Sequence, residues 1–209
     1  MTDGYKTLAR EASDSFIIKK SRFCGYASPA RSQEEALDFL ARVRAATKDA
    51  NHHCYAYIIG RNAGIMRYSD DGEPGGTAGL PILETMKARG VVDCAAVVVR
   101  WFGGILLGTG GLARAYAQGA KCALDAARVV TMEDSVRFYA EVPYALWDKL
   151  DYALASMPVV REDVEFSTAV LATLTVRKRD KEPVFERITS ATEGRATLLE
   201  LEEIVRGWE

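Results

Sequence analysis

The chain has 209 residues, 48% of them hydrophobic and 27% charged, with a formal net charge of −2. This is the make-up of an ordinary globular protein; it excludes a disordered chain, and the length suits one large domain or two modest ones. No run reaches the ~18 apolar residues that a membrane-spanning helix needs, and the polar opening MTDGYKTLAR is no secretory signal, so a cytoplasmic protein without membrane contact is expected.

Cys24, Cys54, Cys94 and Cys122 lie far apart in apolar surroundings with no Cys-x-x-Cys pair, the pattern of free thiols in a reducing compartment. The charge divides unevenly. Residues 1–131 hold 17 Lys and Arg against 13 Asp and Glu, a balance of +4, whereas residues 132–209 hold 10 against 16, a balance of −6. The first part is suited to a polyanion and the second would be repelled by one.

In chain order, SFIIKKSRFCGYAS suggests two short strands joined near Lys20–Ser21. A capping box, Ser32 with Glu35, then opens a helix in which Leu37, Leu40, Val43 and Ala46 recur at helical spacing. HHCYAYIIG and IMRYS read as paired strands around a Gly60–Gly64 loop, and ILETMKARG as a short helix ending at Gly90. The nearly uniform apolar run DCAAVVVRWF reads as a central strand buried on both faces. From Thr109 a long helix of small residues follows. The last third reads strand, helix, strand, strand, helix, strand, the ferredoxin-like order. A boundary is expected near Val130–Glu133, where composition and charge sign change.

Two segments carry candidate chemistry. The first is RWFGGILLGTGGLARAY, residues 100–116, where a strand, glycines and a helix follow one another. Such a helix start offers unpaired N–H groups and a positive dipole end to an anion. Gly103, Gly104, Gly108, Gly110 and Gly111 would shape the turn and Thr109 would cap the helix. Arg114 and Lys121, seven residues apart, share one helix face. No P-loop string occurs, and GTGGLA departs from the dinucleotide fingerprint at Ala113. Tight packing and an anion or nucleic-acid surface both remain open.

The second segment is SDDGEPGGTAG, with Asp70, Asp71 and Glu73 around Gly72 and Pro74. Three readings compete: carboxylates capping a tight turn, a Mg²⁺ or acid–base site, and a surface for a partner. No cofactor is expected, and Mg²⁺ is the ion these carboxylates would suit. His52 and His53 point to opposite faces of a strand and cannot share a metal; zinc would need about two further ligands that are not suitably spaced, so no metal centre is expected. His53, beside the acidic loop, is either a structural histidine or a base.

NHHCYAYIIG, SDDGEPGGTAGLPIL and VVVRWFGGILLGTGGLARAY resemble signature segments of the IMPACT family, whose bacterial members are often labelled YigZ; the resemblance covers residues 15–130. It implies an α+β protein of two domains, residues 1–131 with the fold of ribosomal protein S5 domain 2 and residues 132–209 ferredoxin-like. That pair is similar to two consecutive domains of elongation factor G. Eukaryotic members regulate translation by competing for an activator of a stress-responsive kinase, and carry an extra N-terminal domain that is not expected here. Trp101 stands where a tyrosine is common, and Leu106 where some relatives carry lysine.

The expectation is therefore a non-enzymatic cytoplasmic protein that binds RNA or a ribosome or translation component, with translation regulation as the role. Its phosphate would sit at Gly103–Gly111, flanked by Arg100, Arg114 and Lys121, with Trp101 or Tyr116 as a stacking face. The acidic loop would shape the groove, hold Mg²⁺ or meet a basic protein partner. The alternative is an enzyme on a small phosphorylated or peptide-like substrate, with Asp70, Asp71 or His53 as acid or base.

Overall fold

Alternation along the strands builds two layers of core around one sheet. The computed structural model describes residues 4–208, which divide into two units, Tyr5–Thr131 and Met132–Trp208. In the first, β1 (Tyr5–Leu8), β2 (Ala12–Ile18), β3 (Ser21–Pro29), α1 (Gln33–Ala46), β4 (His52–Ile59), β5 (Ile65–Ser69), α2 (Gly79–Arg89), β6 (Cys94–Trp101) and α3 (Thr109–Ala127) follow in order. An antiparallel sheet runs β2-β3-β6-β4-β5. β6 lies at its centre and is buried along nearly its whole length, as its apolar run predicts.

On one face, Cys94, Ala96 and Val98 of β6 pack with Cys54, Ala56 and Ile58 of β4 beneath Ile82 and Met86 of α2 and Ala115, Tyr116 and Ala120 of α3. On the other, Ala95, Val97 and Val99 join Tyr57 and Ile59 beneath Ala36, Phe39, Leu40 and Val43 of α1. Period two in the strands sends alternate residues to the two cores.

Local differences from the sequence reading have local causes. The buried stripe of α1 is Ala36, Phe39, Leu40 and Val43, while Leu37 is exposed and so is Ala46; the i, i+3, i+4, i+7 set containing bulky Phe39 turns inward. Ser32 Oγ accepts the Glu35 N–H at 3.1 Å, but the Glu35 carboxylate accepts from Arg31, not from Ser32, so half of the capping box forms. The β2–β3 turn is Lys19–Lys20, both left-handed, with φ of 45° and 68°. β1 is not legible as a strand in the sequence; it pairs with β7 (Val129–Val142), whose opening residues 129–131 belong to the first unit.

The second unit continues β7 and adds α4 (Tyr144–Leu154), β8 (Val159–Phe166), β9 (Val170–Arg177), α5 (Lys181–Ala191) and β10 (Thr197–Trp208). Its strands lie in the order β10-β7-β9-β8. Val136, Phe138 and Ala140 of β7 pack with Leu150 of α4 and Ile188 of α5 in one core. This is the ferredoxin-like arrangement. Among the described residues no helix is long and apolar enough to cross a membrane.

Candidate functional site

The antiparallel register sets Phe23, Arg100 and His52 side by side across β3, β6 and β4. Directly opposed residues share a face, so all three point toward the α2–α3 side. Arg100, next to last in β6, is only 4% exposed, a position that a guanidinium tolerates only when paired. The acidic loop supplies the partner. Glu73 Oε1 accepts from Arg100 Nη1 at 2.6 Å and from the Tyr116 hydroxyl at 2.7 Å. Ser21 Oγ accepts from Arg100 Nη2 at 3.5 Å, and Arg100 Nε is buried without a partner among the described residues. The guanidinium also lies over the Phe23 and Phe102 rings. The two glycine-rich segments, distant in sequence, thus meet through one buried ion pair.

Above that pair opens a cleft of ≈ 420 Å³, lined by Asn51, His52, Glu73, Pro74, Arg100, Phe102, Leu106, Leu107, Gly108, Thr109 and Leu112. His52 Nδ1 lies 2.9 Å from the Asp71 carbonyl and so carries the proton it donates there. Its Nε2 is 3.9 Å from Glu73 Oε1. Asn51 Oδ1 accepts the Phe102 N–H at 2.7 Å, which fixes the exit of β6.

α3 begins at the rim. Its N-cap is Gly108, with φ of 71°, and no side chain of that cap bonds the helix start. Thr109 is therefore the first helical residue and not the cap. The positive φ before it is one a threonine would resist. Gly103 has a different purpose: a Cβ there would lie 2.1 Å from the Lys20 carbonyl carbon, because the Gly103 N–H is drawn to Ser21 Oγ at 3.1 Å. The exposed Lys19–Lys20 turn thus abuts the glycine segment. At Gly110 a Cβ would meet only Arg114 Nη1, at 3.7 Å, so that guanidinium lies over the first turn of α3. Gly104 and Gly111 complete the loop and first turn, and Lys121 is exposed further along the helix.

Several residues stand elsewhere than expected. Arg100 is buried and paired, so it cannot flank a surface phosphate. Tyr116 is wholly buried; burial beside Cys54 pushes its hydroxyl far up, and it offers no stacking face. Trp101 points to the opposite face of the sheet from Arg100, its Nε1 donating to Asp49 and the Arg22 guanidinium over its ring. Asp70 accepts backbone N–H groups from Gly76, Ala78 and Gly79, holding the start of α2. Asp71 pairs with Arg44 at 2.7 Å and accepts the His53 N–H at 2.6 Å, while Gly72 takes a φ of 87° beside it. His53 Nε2 lies 2.9 Å from Thr47 Oγ1, on the α1 side. Asp70, Asp71 and His53 are thus engaged in the protein's own bonds, and His53 Nδ1 lies 3.8 Å from Asp71 Oδ2. No three His, Cys, Asp or Glu residues cluster to hold a metal ion among the described residues. Cys54 donates to the Asp70 carbonyl at 3.0 Å, and burial pushes its thiol up to about 12.

Sequence reasoning missed His52, Phe102, Lys19 and Lys20. Period two groups His52 with Cys54 on one strand face, weighed in the sequence only for zinc, and Phe102 and Leu106 are apolar residues in an exposed loop. Phe102 is 44% and Leu106 82% exposed.

Fold and site together define a two-domain α+β protein with a lined cleft on its N-terminal unit. Residues 19–124 match the Impact N-terminal domain and residues 141–195 a domain of unknown function, DUF1949. Over 200 residues the chain is 33% identical to the IMPACT family member YvyE of Bacillus subtilis, covering 96% of this chain and 92% of YvyE. The chain belongs to the IMPACT family. It is also 49% identical over 109 residues to the IMPACT family member YigZ of Escherichia coli, a match spanning 51% of this chain and about half of YigZ, 53%. To the Protein IMPACT homolog of Dictyostelium discoideum it is 36% identical over 94 residues, 43% of this chain and 27% of that protein. The crystal structure of a hypothetical protein superposes with a TM-score of 0.61 at 30% identity, over 97% of this chain and 99% of the other.

Proposed function

We propose that the protein is a non-enzymatic cytoplasmic binder of RNA, free or within a ribosomal or other translation component, and that it acts through the cleft side of its N-terminal unit. Its relationship to proteins named IMPACT supports a translation-related role. One observation carries the reading: α3 starts without a side-chain cap at the rim of the cleft, beside exposed Phe102 and Leu106. The free N–H groups and dipole suit a phosphate, and Phe102 takes the stacking role that Trp101 and Tyr116 cannot. Lys19, Lys20, Arg114 and Lys121 are exposed around or beyond that start. The reading needs neither Mg²⁺ nor another cofactor.

The test is association with ribosomes and with single-stranded RNA at rising salt. Binding should weaken steeply with salt, and Lys20→Ala with Arg114→Ala should flatten the log–log slope by about 0.7 for each phosphate no longer neutralised. Association that ignores both salt and these substitutions overturns the reading.

A second reading, an enzyme on a small phosphorylated or peptide-like substrate, is favoured by His52. Its Nδ1 is oriented by a backbone carbonyl and its Nε2 lies by Glu73 in the cleft, the geometry of a general base. Turnover that disappears in His52→Gln while the fold survives would select it.

A further inference from the structure

We infer that the cleft takes one extruded nucleotide with a guanine base, stacked on Phe102, its hydrogen-bond donor edge on Glu73 and His52 and its phosphate at the start of α3. This rests on the RNA-binding reading of the same cleft and names its ligand. The cleft's ≈ 420 Å³ falls in the range of sites that enclose one small ligand, ~300–1,000 Å³. Its walls are apolar: Pro74, Phe102, Leu106, Leu107 and Leu112. The base of a nucleotide turned out of its stack is held by such walls and read on its exposed edge.

The floor decides which edge. His52 directs its Nδ1 proton to the Asp71 carbonyl, so in the neutral ring Nε2 presents a lone pair. Glu73 Oε1 is taken by Arg100 and Tyr116, and Oε2 has no donor among the described residues. The donors beside Glu73 are engaged by the protein: Arg100 Nη1 and Nη2 bond Glu73 and Ser21, and the Tyr116 hydroxyl bonds Glu73. At Glu73 Oε2 the floor therefore accepts. Guanine offers N1–H and N2–H₂ side by side, donors for the free Glu73 Oε2 and for His52 Nε2. Uracil offers one N–H between two carbonyls, which the carboxylate would repel.

Two independent features mark the site as built for a guest. The first turn of α3 has no side-chain cap, with the Arg114 guanidinium over Gly110. Glu73 lines the same cleft with its side chain 4% exposed and Oε2 without a donor among the described residues, held there by the buried Arg100. That cation sets the Glu73 carboxylate at the floor.

The experiment titrates the full chain with GMP and with UMP, by calorimetry and by ¹⁵N spectra of the histidine rings, alongside a guanine-containing single-stranded RNA. GMP should bind about tenfold or more tighter than UMP, shifting the His52 Nε2 signal and leaving His53 in place, since a matched hydrogen-bonding edge is worth at least one decade. Phe102→Ala, at an exposed position, should weaken GMP about tenfold without unfolding the protein. Glu73→Gln should remove the preference for GMP; should that variant unfold, Phe102→Ala and the histidine signals decide alone. Salt-dependent RNA binding with no mononucleotide bound, or equal binding of GMP and UMP, overturns this inference and leaves the RNA reading standing. Failure of both the RNA and the mononucleotides overturns both.

Discussion

The two faces of the N-terminal sheet receive nearly the same residues and use them differently. His52 and His53 are neighbours, as are Asp70 and Asp71 and Arg100 and Trp101. On the α1 face, His53 bonds Thr47, Asp71 pairs with Arg44 and Trp101 reaches Asp49; each polar group finds its partner at the edge. On the α2–α3 face, His52, Glu73 and Arg100 gather under an open cleft, with one lone pair and one buried N–H unused. What separates a structural face from a candidate site is thus not residue type. A site leaves polar capacity free where a guest can reach it.

The largest way to break this contrast is Arg100→Met. It leaves Glu73 buried, with Tyr116 as a neutral donor but no cation, and losing one partner of a buried pair costs about 3–5 kcal/mol. Urea unfolding should register that loss, and adding Glu73→Gln should recover part of it. A loss below about 1 kcal/mol would mean that the pair is far better solvated than its burial implies.

Asp70→Ala should come next. Its carboxylate holds the N–H groups of Gly76, Ala78 and Gly79, so the substitution strips the start of α2 of its cap. Loss of such a cap costs about 1–2 kcal/mol. RNA affinity and its salt slope should be unchanged when measured at a temperature where the variant stays folded. A changed slope would place Asp70 in the ligand surface after all.

Much of this was readable along the chain. The apolar run of β6, the Ser32 cap, the Gly90 C-cap and the six-element order of the second unit are local patterns, and each appears as an element. Alternation along β6 also separates Trp101 from Arg100, and the stripe Leu112, Ala115, Tyr116, Gly119 points Tyr116 inward. The choice of His52 over His53 was not local. It depends on the pairing of His52 with Arg100 across β4 and β6, a register set by two strands almost fifty residues apart. The burial of Arg100 was equally hidden, because Glu73 reaches it only when the acidic loop folds back over β6.

The smallest expected effect sharpens the comparison most. Arg44→Ala removes the guanidinium that Asp71 holds at 2.7 Å, a pair with side-chain exposures of 45% and 29%. Partly solvated pairs of this kind contribute about 0–1 kcal/mol, and salt screens them. Asp71 keeps the His53 N–H, and its carbonyl keeps His52 Nδ1, so the backbone of the loop has reason to stay in place. Thermal unfolding should shift by no more than a few degrees, and His52 should keep its NMR signal and its response to GMP. A large loss of GMP binding in Arg44→Ala would show that the α1 face positions the loop for the cleft. The two faces would then be one coupled device, and the division drawn between them would fall.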